Sequence, residues 1–199
     1  MARPRKITTE QILKAAQAIF LEKGFGASTQ EIASEAGISE GSIFKRFPTK
    51  EELFVAAMGM SKRSSFLSFV EAIAGQGDLE ENLKKIGVEM IGIFQELLPK
   101  MMMLKSKGLP IPAMLMKPGT APPVQLMKLL TDFFEKEIAL ERIRRSNSQT
   151  LAMMFIGSLI EYVFLKQTSA PLPDVEDYVD SVVELFWRSI QPSDGSDFV

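Results

Sequence analysis

The run STQEIASEAGISEGSIFKRFPTK, Ser28 to Lys50, reads as two short helices joined by a tight turn. Ser28 and Glu31 stand three apart and form a capping box. The serine oxygen takes the N–H of the third helical residue while the glutamate reaches back to the cap. Ile32, Ala33 and Ala36 make the inward side of this first helix, and Gly37 permits the positive φ that the turn requires. A small residue at Ala33 lets the next helix cross closely, and Ile43 fills the gap between the two. Ser39 is placed to cap the second helix. Ile43 and Phe47, four apart, face inward, so at 100° per residue Gly41, Ser42 and Lys45 point the opposite way. A short helix with a small, partly basic outer face fits the major groove of DNA. Taken alone, the pattern fits many helical hairpins.

The flanking residues narrow the choice. Upstream, Thr8-Thr9-Glu10-Gln11 fits a capping box, and Ile12, Ala16, Ile19 and Phe20 fall on one helical stripe that Gly24 ends. Downstream, Phe47-Pro48-Thr49-Lys50-Glu51-Glu52-Leu53-Phe54 closes the second short helix and opens a longer one, with Thr49 as N-cap and Glu52 completing a third box. Three stretches carry a family pattern: I-L-x-A-A-x-x-x-F-x-x-x-G-F over 12–25, TQEIA at Thr29 to Ala33, and G-I-S-x-G-S-I-F-x-x-F-x-x-K-E-E-L from Gly37 to Leu53. The run from Ile7 to Phe54 resembles the DNA-binding domain of TetR-family transcriptional regulators, over about the first quarter of the chain.

That resemblance implies an all-α fold: a three-helix helix-turn-helix head on a larger helical ligand-binding and dimerisation body, about nine helices in all. It implies that Ser39 to Lys50 contact DNA, with Ser42 and Lys45 the best candidates for base or phosphate contact. Ser28, Thr29 and Lys50 would meet phosphates through hydroxyl, helix N-terminal N–H groups and charge. Gly41 sits on the same outer face. Glu40 suits the helix dipole at the first helical position but repels a phosphate; it could instead accept from a cytosine amine. Two positions depart from the family. Phe44 stands where a phosphate-contacting Tyr is usual, and Arg46 replaces the usual His or Tyr, where its charge could restore a phosphate contact.

Composition supports the same class. The chain has no cysteine and no histidine, which removes disulfides, thiolate metal sites and the commonest general base. No metal or cofactor is called for, and no paired-carboxylate or nucleophile–base spacing suggests an enzyme. The net charge of −2 conceals an asymmetry: residues 1–63 carry ten Lys+Arg against seven Asp+Glu, and residues 64–199 thirteen against eighteen. A mildly basic end on an acidic body is compatible with nucleic-acid binding at that end, and also with ordinary charge scatter. Arg3, Arg5 and Lys6 lie in an N-terminal arm that either touches DNA or is a solvated tail. With no signal-peptide pattern and no apolar run near eighteen residues, the expectation is a cytoplasmic protein without a membrane partner.

Beyond the head, a fourth helix is expected from Thr49 to about Ala74, with Gly59 inside it, and another from Asp78 to about Leu98. Residues 99–123 hold six of the eleven prolines and five of the twelve methionines. Proline at that density predicts a short helix over 101–107 and an adaptable loop rather than one long helix. A helix from Pro122-Pro123 to about Ile143 should be buried on two sides, with Arg142, Arg144 and Arg145 in its last turn opposing the dipole. Helices over about 147–167 and 174–190 complete the body.

Met90, Phe94, Met101, Met103, Met127, Phe134, Phe155 and Tyr162 are candidate pocket residues for a small lipophilic effector, though each fits simple core as well. Glu89, Glu161, Gln125 and Tyr162 are the polar groups available to such a pocket. Met153, Gly157, Ile160, Phe164, Val183 and Trp187 are candidate homodimer contacts, because both terminal helices are apolar on more than one face. The expected organisation is an arm and head over 1–50, a body over 51–192 and a polar tail over 193–199. Its function would be that of a ligand-responsive repressor that binds double-stranded DNA at a near-palindromic operator as a homodimer. Two alternatives stand beside it: a small-molecule binding protein that keeps the fold without DNA recognition, and an all-α enzyme with acid/base chemistry from Glu or Lys.

Overall fold

The computed structural model describes residues 8–60, 62–115, 121–168 and 170–192, and every regular element among them is helical. There are nine α-helices among the described residues: α1 Thr9–Lys23, α2 Thr29–Ala36, α3 Glu40–Phe44, α4 Lys50–Ala57, α5 Lys62–Ile73, α6 Leu79–Ser106, α7 Pro122–Ala139, α8 Ser148–Lys166 and α9 Val175–Ile190. Short 3-10 turns occupy Gly24–Gly26 and Ala113–Leu115. The basic arm and the polar tail lie outside the described residues. The chain divides into two compact units, Met1–Lys62 with Glu96–Lys117 and Arg63–Gln95 with Pro118–Val199. This division differs from a sequence boundary at residue 50, because α4 and the end of α6 share the head's core.

In that first unit α1 packs against α2 and α4. Ile12 and Phe20 of α1, Ile32 of α2, Ile43 of α3, Leu53 and Phe54 of α4 and Leu104 of α6 are all fully buried in one cluster. Each such side chain contributes about 1.5–3 kcal/mol relative to exposure. Phe20, Phe25 and Phe54 pack around one another, with Phe54 edge-on to the other two at 4.9 and 5.6 Å. Most local signals hold, although the Thr49 cap lacks the return bond from Glu52 that would complete a third box. Thr8–Gln11 and Ser28–Glu31 close as reciprocal capping boxes, and Gly37 ends α2 at φ +67°. Thr49 accepts from the Glu52 N–H at 3.1 Å.

Three expectations fail, each for a tertiary reason. The helix expected over 49–74 is two helices. Gly59, at φ +84°, breaks it after α4, and the Lys100 ammonium caps the freed Met58 carbonyl at 3.2 Å. Conversely, α6 runs on through Pro99 to Ser106. The missing Pro99 N–H orphans the Gln95 carbonyl, but burial of Leu104 and packing of Leu97 and Met101 against the head cluster hold the last turns. Finally, α7 stops at Ala139, and Glu141 follows in the left-handed region at φ +55°. Arg142, Arg144 and Arg145 therefore lie beyond the helix rather than in its last turn.

In the second unit α7 packs along α8, and α8 against α9. Phe134 and Phe155 both meet Phe186, at 5.7 and 5.6 Å. Both faces of α7 are covered, as Leu129, Leu130, Phe133 and Phe134 are all buried. By length and composition α8 could cross a membrane, contrary to the expectation of no such run. Its inner face, Leu151, Ala152, Phe155, Leu159 and Val163, is buried in the unit, and its other face is exposed and apolar.

Candidate nucleic-acid interface

The turn between α2 and α3 is fixed from inside by Ile43, which is fully buried, while Gly41, Phe44, Lys45 and Arg46 are exposed. A side chain added at Gly41 would meet nothing within 4 Å, so the outer face of α3 is open at its start. Lys45 is exposed and has no partner among the described residues. Arg46 is exposed and does interact within the protein.

The hydroxyls expected to reach phosphates are occupied by protein groups. Ser28 Oγ accepts the Glu31 N–H at 3.2 Å and donates to Glu31 Oε2 at 3.0 Å. Thr29 Oγ1 donates to Glu40 Oε1, tying the start of α2 to the start of α3. Ser39 does not cap α3; its hydroxyl pairs with that of Ser42 at 2.8 Å, so one of the two protons stays available. The Thr29 bond also answers the anomaly of Glu40, whose carboxylate is engaged by a neighbouring helix. Lys50 is held over the Phe25 ring, 4.6 Å from its centroid, a cation–π contact of about 0.5–1 kcal/mol. Glu31 also takes Lys23 at 2.5 Å. That bond, then the N–H and hydroxyl of Ser28, lower its pKa from 4.5 to about 2.

Sequence reasoning missed what holds Phe25. Its N–H donates to the Pro110 carbonyl at 2.7 Å, and Lys107 donates to the Leu21 carbonyl at 3.2 Å. Gly24, at φ +69° and ψ −167°, admits this strap; a Cβ there would lie 2.7 Å from Pro110 Cδ. The partners are more than eighty residues apart, so no local signal could have found them.

The body candidates are scattered. Met90, Phe94, Phe134, Phe155 and Tyr162 are buried in the second unit, Met127 is half-buried, and the Tyr162 hydroxyl donates to the Pro173 carbonyl at 2.8 Å. Met101 packs against the head cluster, and Met103 is exposed. Met101 and Met103 thus belong to the first unit and the other six to the second. A surface groove of roughly 510 Å³ is lined by Phe69, Lys84, Val88, Glu89 and Asp180 among others, and by none of the eight. Of the dimer candidates, Met153 (56% exposed), Gly157, Ile160 and Phe164 (47% exposed) share the open face of α8. Trp187 is half-buried. Val183 is fully buried and belongs to the core; on α9 the exposed apolar residue is Leu185.

Residues 12–57 match the family described as bacterial regulatory proteins, tetR family. Among curated proteins, the chain is 40% identical over 85 residues to YerO of Bacillus subtilis (strain 168), an uncharacterized HTH-type transcriptional regulator. That match spans 40% of this chain but only 29% of YerO. Among solved structures, the fold is similar to SmeT, the repressor of the Stenotrophomonas maltophilia multidrug efflux pump SmeDEF. The TM-score is 0.62 at 18% identity, covering 96% of this chain and 93% of SmeT. It is also similar to the Bacillus subtilis regulator FadR in complex with stearoyl-CoA, with a TM-score of 0.58 at 17% identity, covering 90% and 97%.

Proposed function

Since residues 12–57 match the tetR family of bacterial regulatory proteins, we propose that this chain is a DNA-binding transcriptional regulator acting as a ligand-responsive repressor. The observation that carries this is the outer face of α3, where Gly41 and Lys45 are open while Ile43 anchors the helix from within. A positive, sterically open helix face can enter a major groove, and Lys45, Arg46 and Lys50 supply the charge that displaces counterions from phosphates. The paired hydroxyls of Ser28, Thr29, Ser39 and Ser42 pre-set the surface at little further entropic cost.

Two copies would join through the open face of α8, with Met153, Gly157, Ile160 and Phe164 paired across a two-fold axis. Two α3 helices so related read half-sites about 34 Å apart, hence a near-palindromic operator. The effector is a lipophilic small molecule that binds the body. FadR's stearoyl-CoA is one chemical precedent in a protein of similar fold. To release DNA it must bind the DNA-free arrangement more tightly, since equal affinity for both states shifts nothing. The protein acts in the cytoplasm and carries no catalytic role.

Fluorescence anisotropy on DNA upstream of the protein's own reading frame, and on DNA selected from a random pool, tests this. Salt-sensitive binding is expected, and Lys45→Ala should weaken the specific site by about 1–3 kcal/mol while affecting bulk DNA less. Equal weakening on both would make Lys45 a phosphate contact only. No salt-sensitive binding to either DNA sinks the regulator assignment.

A further inference from the structure

Resting on the DNA-binding assignment above, we infer that Phe44 reads thymine in the major groove through its C5-methyl group. Phe44 is 40% exposed at the end of a five-residue helix that also carries Glu40, Gly41 and Ser42, with the exposed cations Lys45 and Arg46 just beyond it. It lies one residue round from buried Ile43 and directly precedes Lys45 and Arg46. Among the described residues its ring enters none of the aromatic contacts of the head, which involve Phe20, Phe25 and Phe54. Lacking a hydroxyl, it cannot bond a phosphate. The apolar feature on a base edge in the major groove is the thymine methyl, and phenylalanine is among the side chains that contact it. Glu40, one turn earlier on the same side of α3, is engaged by Thr29, so the carboxylate nearest the ring along the helix already has a partner. The exposed ring is thus a recognition element continuous with the basic face, with thymine as its occupant.

The experiment uses the full chain and an operator selected from random DNA, with each thymine replaced in turn by uracil, which lacks only that methyl. One thymine per half-site should be sensitive, binding about fourfold more weakly as uracil, the worth of one buried methyl group. Phe44→Ala should bind the thymine operator more weakly and lose the distinction between thymine and uracil. Phe44→Tyr, which keeps the ring, should retain it. A thermal melt of each variant separates misfolding from lost contact. The inference is overturned if no enriched thymine is methyl-sensitive, if Phe44→Ala stays as sensitive as wild type, or if its loss is equal on both DNAs. In those outcomes DNA binding itself survives, whereas wild type that binds no selected DNA removes the regulator assignment as well.

Discussion

Glu31 in the head and Glu137 in the body perform the same two tasks. Each accepts a backbone N–H, from Ser28 at 2.8 Å and from Gly75 at 2.6 Å. Each also pairs with a cation, Lys23 at 2.5 Å and Arg142 at 2.7 Å. They differ in burial and reach. The Glu31 side chain is 41% exposed and serves a cap three residues away. Glu137 is fully buried and holds the turn after α5, sixty-two residues away, against the end of α7. Arg142 completes that clasp by donating to the Gly77 carbonyl at 2.7 Å. Its Nε lies close to Glu137 Oε2 without the alignment of a hydrogen bond, so the contact is an ion pair. An exposed pair is screened by water and contributes little, while breaking a buried pair strands a charge. The head's polar contacts therefore organise a local surface, and the body's secure long-range closure.

The largest expected effect is at that clasp. Glu137→Ala should destabilise the protein by about 3 kcal/mol in urea unfolding, since it removes the ion-pair partner of Arg142 and orphans the Gly75 N–H. A loss near zero would erase the contrast between the two carboxylates. Next comes Gly24→Ala, expected to cost about 2 kcal/mol, because φ +69° with ψ −167° is essentially restricted to glycine and the Cβ collides with Pro110. A neutral result would show that the strap does not hold the head. Phe164→Glu on the exposed stripe of α8 should raise the dissociation constant of the proposed dimer roughly tenfold or more, about 1.4 kcal/mol, by analytical ultracentrifugation. An unchanged assembly would move the interface elsewhere.

The smallest effect concerns Glu31. Its folded pKa lies below the unfolded one, so its contribution is full above pH 4.5 and is lost as pH falls toward about 2. Glu31→Gln should therefore flatten the acid limb of the stability curve in that window, and leave it unchanged if the Lys23 contact is not formed in solution.

Much of the head was legible because its signals are local. The boxes at Thr8–Gln11 and Ser28–Glu31, the left-handed Gly37 and the inward Ile43 each follow from residues within a turn or two. Less of the surface was legible. Hydroxyls suited to phosphate contact are engaged inside the protein: Thr29 meets Glu40 only once α2 and α3 cross, and Ser39 pairs with Ser42 within the first turn of α3 instead of capping it. In the body, apolar periodicity marked buried faces without saying what covers them, so Val183 looked as available as Phe164. Gly59 and Pro99 misled in opposite directions, since helix propensity yields to what a segment can bury or cap.

Capping chemistry, turn glycines and a 3.6-residue period by themselves marked a helical hairpin at Ser28–Lys50, since each acts over a few residues whatever the rest of the chain does; that the hairpin is a helix-turn-helix head came from the resemblance of Ile7 to Phe54 to a known family. Only the tertiary structure decided that α6 carries Leu104 into the head's core, that Pro110 holds Phe25 beneath Lys50, and that Glu137 clasps Gly75. Those contacts join residues from twenty-five to about ninety positions apart, where pairing depends on which apolar faces are buried together.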